Sequence, residues 1–228
     1  MKPPKFFRRF DYDQNLLPNA FLGSLEQDVE TLDQAKEKTG FTIGYPGWNL
    51  MYYILLSHLK PDKPNNIVET GSNQGCSTIM LAQALKDSLG EGRVYTVELL
   101  PENYEIAQKN YEKAGVSDLI DARLGDSKEI LRQLVSDLGT VRTAFLDASH
   151  LLEDVFSEFE IIYPALDEDS IVIFDNTYQI ADADEDPRVF GALHKIKEEY
   201  GGNLINFEFV SWYTPGMAIW QKQPFPVS

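Results

Sequence analysis

The chain has 228 residues, of which 43% are hydrophobic and 12% aromatic, enough to bury the core of one α/β domain. Lys and Arg number 20 against 36 Asp and Glu, and a formal net charge of −16 argues against nucleic acid as a partner, because a phosphate backbone would be repelled. No stretch reaches the roughly 20 apolar residues of a membrane span, no signal-peptide run follows Met1, and the single Cys76 excludes an internal disulfide, so we expect a cytoplasmic protein with no membrane partner.

The first 60 residues are predicted to form a helical cap or flank. Apolar residues recur there at helical spacing in the stretches 25–30 and 48–59. A polar break from Pro61 to Asn66 then separates this cap from the main domain, predicted to be residues 61–228.

From residue 67 onward, short runs of β-forming residues alternate with helix-period segments, as in parallel strands joined by right-handed crossovers. We expect strands at 67–69, 93–97, 121–124, 141–146 and 170–174, and helices at 76–88, 102–114, 127–138, 151–163 and 187–200. The stretches 204–210 and 216–220 are separated by too few residues for a crossover helix, so they should pair antiparallel. The predicted fold is a doubly wound, Rossmann-like α/β sheet, mostly parallel and seven-stranded, ending in an antiparallel hairpin.

Because ligands of such sheets bind at the carboxyl ends of the strands, the residues after each strand are the candidate site. The first strand runs into a turn flanked by Gly71 and Gly75, where the backbone can approach a ligand closely. A plain strand-to-helix turn capped by Ser77 explains this loop equally well.

Polar residues follow the second and third strands. Glu98 closes an apolar strand, where a carboxylate can accept both hydroxyls of a ribose. Gly125, Asp126 and Ser127 follow the next strand and could border an adenine ring and its amine, although Asp126 or Ser127 could also cap the next helix.

Asp147 ends the fourth strand, and Asp175 and Asn176 end the fifth. If these strands are neighbours, three oxygen ligands converge, the set that a hard cation such as Mg²⁺ prefers. The three histidines are scattered and the cysteine is single, so no zinc site competes. Alternatively, Asp147 orients a substrate directly and Asp175–Asn176 is a turn pair.

These strand ends together resemble the metal-dependent small-molecule O-methyltransferases, typified by catechol O-methyltransferase and caffeoyl-coenzyme A O-methyltransferase. The resemblance covers about residues 42–180 and is carried by Val68–Ser77, Val94–Glu98, Ala114–Val116, Leu124–Ser127, Leu146–Asp147 and Phe174–Asn176. It implies an S-adenosylmethionine-dependent enzyme that methylates a hydroxyl oxygen of a small phenolic, catechol-like or sugar acceptor with the help of a divalent metal.

The resemblance also implies roles for individual residues. Glu69, Gly71, Gly75 and Ser77 would line the methionine end of the cofactor, Glu98 its ribose, and Asp126 and Ser127 its adenine. Asn73, Gly125 and Asp147 are further candidate cofactor contacts, as is Ile43, in the segment Thr42–Tyr45 that closes over the cofactor in such enzymes. Asp147, Asp175 and Asn176 would bind the metal, with Asp147 also serving catalysis.

His150 is a departure from the family pattern. Relatives commonly have a proton-removing lysine three residues after the first metal aspartate, where this chain has a histidine. An imidazole is a suitable base at neutral pH. Asp-x-x-His also occurs in broader methyltransferase groups, including sugar-modifying enzymes, and helix-end hydrogen bonding by His150 is the alternative. Cys76 replaces an aromatic residue of the catechol-type enzymes and is interpreted as a small spacer.

The acceptor is less well determined. Its walls could include Tyr45, Trp48, Tyr178, Trp212 and Tyr213, although each could equally be packing. The acidic loop 181–186 could gate the site, favour a cationic substrate, or only be solvated.

Two other classes remain open. A nicotinamide oxidoreductase would share the glycine loop and Glu98 but gives no reason for the three metal-type ligands to converge. A non-catalytic cofactor-binding homologue would keep the fold. The sequence is also compatible with a homodimer, whichever of these functions the protein has.

Overall fold

Three helices precede the sheet in the computed structural model, which describes residues 17–27, 29–40, 44, 47–209 and 215–223. They are α1 (Ala20–Glu26), α2 (Leu32–Thr39) and α3 (Gly47–His58). The predicted helix at 25–30 is wrong in its position. Helix α1 ends at Glu26, and Thr31 starts α2 with a capping box, its hydroxyl bonding the Gln34 N–H while the Gln34 side chain bonds back.

The sheet has seven strands in the order β3-β2-β1-β4-β5-β7-β6. Their bounds are β1 Asn65–Thr70, β2 Gly92–Glu98, β3 Ile120–Leu124, β4 Val141–Leu146, β5 Leu166–Asp175, β6 Asn203–Phe209 and β7 Pro215–Gln221. Strands β1 to β5 pair in parallel, whereas β7 runs antiparallel to both β5 and β6. This confirms the predicted doubly wound sheet and its terminal hairpin, including the neighbouring positions of β4 and β5.

Five helices follow strands, at α4 Cys76–Asp87, α5 Pro101–Ala114, α6 Ser127–Leu138, α7 Leu152–Ile162 and α8 Val189–Tyr200. The helices cover both faces of the sheet, so the hydrophobic core has two layers. Successive residues of one strand pack in different layers, because their side chains point to opposite faces of the sheet. Ile67 of β1 packs in the layer that includes α3 and α4, whereas Val68 packs in the layer that includes α7 and α8. Both faces of the sheet are therefore covered, as is usual for parallel strands joined by crossover helices.

A buried arginine connects the end of α3 to the sheet, at the amino ends of the parallel strands. Arg142 of β4 donates from Nη2 to the backbone oxygen of His58, 3.2 Å away, and lies 3.3 Å from His58 Nδ1. Its Nη1 pairs with Asp169, whose second oxygen accepts from Lys60 at 2.7 Å. The position of β1 between β2 and β4 opens a crevice at the opposite, carboxyl ends of the strands.

Among the helices that the structure describes, none has the length and apolar character needed to cross a membrane.

Candidate functional site

A cavity of about 870 Å³ lies at the carboxyl ends of β1, β2, β4 and β5, against the starts of α6 and α7. The candidate residues that line it are Gly71, Asn73, Glu98, Gly125, Asp126, Ser127, Asp147, His150, Asp175 and Asn176. Three others, Glu69, Gly75 and Ser77, do not reach its wall, and Ile43 lies outside the described residues. Most of the candidate residues singled out from the sequence therefore lie around one cavity.

The loop after β1 depends on two glycines with positive φ. Gly71 has φ +80°, and a Cβ built on it would collide with the backbone carbonyl of Asp147. Gly75 has φ +86° and sits against the ring of Tyr111. Gly75 is also the N-cap of α4, and no side chain caps this helix, so the alternative that Ser77 caps it is wrong. The loop after β1 therefore lies against the backbone at Asp147, with no space for a side chain at position 71.

Glu69 lies behind this loop and is fully buried. Its Oε2 accepts hydrogen bonds from the hydroxyls of Thr78 and Thr96. Burial raises the pKa of Glu69, and hydrogen bonds from Ser77, Thr78 and Thr96 oppose that rise. Glu69 and Ser77 thus lie on the core side of the loop, where they hydrogen-bond to each other, and do not line the cavity.

Glu98 is held at the tip of β2 by two backbone donors. Its Oε2 accepts from the Asn73 N–H at 2.7 Å and its Oε1 from the Leu100 N–H at 2.8 Å. Asn73 has a φ of 47°, and its Nδ2 donates to the Gly40 carbonyl at 2.8 Å. The carboxylate at the predicted ribose position is therefore fixed in place, and Asn73 links it to the end of α2.

Asp126 caps α6, as the alternative interpretation held. Its Oδ1 accepts from the backbone N–H groups of Lys128 and Glu129 at 3.0 and 3.2 Å. The Ser127 hydroxyl donates to Glu158 of α7 at 2.5 Å. Both residues still line the cavity, so capping and ligand binding do not conflict.

Glu158 is a cavity residue that the sequence prediction missed. It is buried, and besides Ser127 it accepts from the Thr70 hydroxyl at 2.8 Å. Burial raises its pKa, while the two hydroxyls oppose the rise. The sequence does contain a feature that could have identified it. Glu158 is spaced with Val155 and Ile162 on the apolar face of α7, where a buried charge needs hydrogen-bond partners.

Asp147, His150, Asp175 and Asn176 meet at the other end of the cavity. His150 Nε2 lies 3.3 Å from Asp147 Oδ1 and 3.2 Å from Asn176 Nδ2. Asn176 Nδ2 also donates to Asp175 Oδ2 at 2.7 Å. The contacts of the His150 ring are therefore with this cluster, and α7 begins two residues later without a side-chain cap, so His150 does not serve as a helix-end group.

Neither carboxyl group of this cluster, Asp147 or Asp175, has enough nearby positive charge or hydrogen bonding to offset the effect of burial on its ionised form. Burial raises the pKa of Asp175 well above its usual range, and the charge of Asp147 raises it further. Burial does the same to Asp147, with Glu69 and Glu158 adding to the effect. Asp175 Oδ1 is buried and has no hydrogen-bond partner among the described residues. Burial also lowers the pKa of His150, which keeps the imidazole neutral at pH 7.

The donor set bears on the predicted metal. Within the ranges that the structure describes, no three His, Cys, Asp or Glu side chains are arranged as a metal centre. The orphaned oxygen of Asp175 and the clustered carboxyls do fit a hard cation, which would relieve their repulsion. Asn176 turns its amide nitrogen toward Asp175, so ligation through its oxygen requires that amide to rotate.

Of the predicted acceptor walls, Tyr178 alone among the described candidates lines the cavity. Trp48 is fully buried in the core, so its interpretation as a wall is wrong. Tyr45, Trp212 and Tyr213 lie outside the described residues. Cys76 is buried, which raises the pKa of its thiol to about 12, consistent with a small spacer and inconsistent with a nucleophile.

Part of the chain is similar to a known protein family. Residues 68–177, slightly under half of the chain, match the family model described as a methyltransferase domain. The match begins in β1 and ends just after Asn176, so the matched segment contains nearly every cavity residue named above.

Individual relatives are similar over shorter stretches. The chain is 39% identical over 84 residues to a catechol O-methyltransferase of Niastella koreensis, covering 36% of this chain and 37% of that protein. It is 35% identical over 121 residues to caffeoyl-CoA O-methyltransferase 1 of Eucalyptus globulus, covering 50% and 48%. The matched region thus spans half or less of these curated relatives.

The likeness in fold to solved structures extends over nearly the whole chain. An O-methyltransferase from Bacillus cereus, solved in complex with SAH, superposes with a TM-score of 0.72 at 23% identity, covering 92% of this chain and 96% of that one. The seven-stranded, Rossmann-like architecture is therefore that of solved O-methyltransferases.

Proposed function

We propose that this protein transfers a methyl group from S-adenosylmethionine to a hydroxyl oxygen of a small molecule. One observation carries the proposal: a single cavity joins Glu98, fixed at the tip of β2, to the cluster of Asp147, His150, Asp175 and Asn176 at the tips of β4 and β5. A cofactor site and a proton-accepting site are thereby connected across Gly71.

The proposed cofactor end has suitable chemistry. Glu98 is positioned to accept the two ribose hydroxyls, and the exposed apolar side chains of Leu99 and Leu100 extend the wall beyond it. Asp126 and Ser127 border the same end, where a planar base would lie. Gly71 lines the cavity between these two ends, and its missing side chain lets the β1 loop lie against the Asp147 backbone. When bound, S-adenosylmethionine supplies the methyl group on a sulfonium centre.

The protein's own part in catalysis is alignment and proton removal. His150 is neutral at pH 7, because burial lowers its pKa, and its Nε2 faces the cavity cluster. It is the side chain placed to take the acceptor's proton. Its contact with Asp147 fixes the ring, which orients the nitrogen that receives the proton.

A divalent metal, most simply Mg²⁺, fits this proposal. Asp147, Asp175 and Asn176 would hold it, since they offer oxygen donors beside Asp175 Oδ1, a buried carboxylate oxygen with no hydrogen-bond partner among the described residues. Such an ion would lower the pKa of an acceptor hydroxyl and position it.

Ligand binding tests the cofactor assignment. We expect S-adenosylhomocysteine to bind in isothermal titration, and NAD not to bind, because methyl transfer and hydride transfer need different cofactors. Preferential binding of NAD would overturn the proposal in favour of an oxidoreductase. Glu98→Gln should weaken S-adenosylhomocysteine binding by about tenfold, the loss of a charge-assisted hydrogen bond to the ribose.

Turnover tests the rest. Incubation with catechol-type acceptors, S-adenosylmethionine and Mg²⁺ should release S-adenosylhomocysteine, and excess chelator should abolish that release without abolishing cofactor binding. Full activity in chelator would remove the metal from the proposal. Cofactor binding with no turnover of any tested acceptor would favour the non-catalytic homologue.

A further inference from the structure

The loop between β5 and α8 is built around one buried carboxylate. Asp186 Oδ2 accepts from the backbone N–H groups of Ile180 and Ala181 at 2.9 and 3.2 Å, and its Oδ1 accepts from the Arg188 N–H at 3.0 Å. The other acidic residues of the loop, Asp182, Asp184 and Glu185, are exposed. The loop is thus closed around Asp186, and the same carboxylate fixes the backbone of Arg188.

The side chain of Arg188 reaches the acceptor end of the cavity through Tyr178. Its Nη1 donates to the Tyr178 hydroxyl oxygen at 2.7 Å. Tyr178 lines the cavity together with His150 and Asn176. The backbone of Arg188 is also bridged to Leu151, the residue after His150. Arg188 therefore stands directly behind one wall of the proposed acceptor site.

This contact sets the direction in which the Tyr178 hydroxyl can donate. A guanidinium group only donates, so the phenol oxygen must be the acceptor in the bond with Arg188. The phenol proton is consequently free to point away from Arg188, toward the cavity. Tyr178 is prepared to donate to an oxygen of the bound acceptor.

Arg188 also carries a charge that no carboxylate neutralises in the part of the chain the structure describes. Its side-chain bond goes to a neutral phenol, and Asp186 touches it only through the backbone N–H. Lys128, the cavity-lining lysine, is different, because its Nζ is paired with Asp154 at 2.7 Å. The acceptor end thus has a positive charge directly behind the Tyr178 hydroxyl, one residue away from the cavity.

We propose that Arg188 and Tyr178 form an anion-recognition pair that selects a hydroxylated carboxylic acid as the acceptor. The Tyr178 hydroxyl, on the cavity wall, would donate to the carboxylate, and the Arg188 guanidinium behind it would supply the compensating positive charge. This inference rests on the proposed function and names the substrate class of the same site. It runs against the alternative that the acidic loop favours a cationic substrate, since the exposed carboxylates of the loop lie in solvent while its arginine lies behind a wall of the site.

Three acceptors that differ in one substituent test the proposal: catechol, 3,4-dihydroxybenzoate and dopamine. We expect kcat/KM for 3,4-dihydroxybenzoate to exceed that for catechol by about tenfold, the usual worth of a charge-assisted hydrogen bond, with dopamine the poorest. Arg188→Gln should remove the preference for the acid, and Tyr178→Phe should reduce it. Arg188→Lys should keep part of it.

Arg132→Gln is the matched control, because Arg132 is exposed on α6 and its removal changes the net charge equally. It should leave the preference unchanged. The same three compounds are titrated into the protein loaded with S-adenosylhomocysteine, so that a preference is measured even without turnover. Equal or tighter binding of catechol or dopamine, or an undiminished preference in Arg188→Gln, would overturn the inference. Failure of the wild type to bind S-adenosylhomocysteine would instead overturn the proposed function.

Discussion

His150 Nε2 and Asp147 Oδ1 lie 3.3 Å apart, at a point where neither group is in its ordinary protonation environment. Burial lowers the pKa of the imidazole and raises that of the carboxyl. Both shifts favour the neutral forms, so the pair enters the reaction without a permanent ion pair, and the Nε2 atom that would take the proton is held by contacts with Asp147 and Asn176. A base held in this way can accept a proton and be stabilised by a carboxyl group as it becomes charged.

The first prediction concerns His150. His150→Gln should lower kcat by about a hundredfold, within the range of general-base contributions. Because burial disfavours the imidazolium, the wild-type acid limb should have its midpoint below the ordinary pKa of 6.5, and the glutamine variant should lose that limb. Rate measurements between pH 5 and 8 check both points. His194→Gln, on the exposed side of α8, is the control. An unchanged rate and pH profile would exclude His150 as the base.

The second prediction concerns Asp175 and stability. Its raised pKa means that the folded state binds the proton more tightly than the unfolded state, so the carboxyl destabilises the fold at neutral pH and this cost diminishes as pH falls through the folded-state pKa. In chelator, Asp175→Asn should therefore raise Tm. Mg²⁺ should raise the Tm of the wild type but not of the variant.

Asp154 provides a control of opposite sign for that measurement. It also lines the cavity, but hydrogen bonds from Lys128 and Ser149 lower its pKa. Asp154→Asn should lower Tm slightly at neutral pH and leave the Mg²⁺ effect intact. A Mg²⁺-independent Tm in the wild type would contradict metal binding at Asp175.

Much of this site follows from strand ends, and the reason is geometric. Parallel strands that are neighbours in the sheet deliver their last residues to one edge, so Asp147 could be placed beside Asp175 and Asn176 once β4 and β5 were recognised. The glycine loop and Glu98 follow from the same rule. No tertiary information was needed for these residues.

The residues that were missed or misplaced depend on packing between helices and loops. Glu158 reaches the cavity from the middle of α7, and Arg188, at the far end of the β5–α8 loop, contacts it only through Tyr178, so neither comes directly after a strand. Glu69 follows the pattern but is turned behind the loop by Thr78 and Thr96. The helix at 25–30 was misplaced because the Thr31–Gln34 capping box starts a new helix there, whereas the predicted stretch 48–59 agrees with α3.

The third prediction separates backbone strain from close approach at Gly71. Gly71→Ala places a Cβ against the Asp147 carbonyl at φ +80°, whereas Gly115→Ala has a similar φ of +68° with no atom within 4 Å. Gly115→Ala should cost about 1 kcal/mol in free energy of unfolding. Gly71→Ala should cost clearly more and abolish S-adenosylhomocysteine binding, as urea denaturation and titration would show. Equal costs with retained binding would contradict the close approach.

The fourth prediction concerns acid stability at the opposite end of the sheet. Burial and the charge of Arg142 lower the pKa of His58 from 6.5 to about 4, so the folded state resists protonation more than the unfolded state. The stability that His58 contributes is full above pH 6.5 and is lost as pH falls from 6.5 toward 4. The loss should approach about 3 kcal/mol at most. Asp169 titrates lower, since Arg142 holds its pKa at about 2, so it stays charged throughout this window.

His58→Gln should remove the pH dependence that His58 contributes. Urea denaturation should then show a smaller fall in the free energy of unfolding between pH 7 and 4.5. His194→Gln should retain the wild-type slope, and identical slopes in wild type and His58→Gln would show that the α3 anchor does not sense pH.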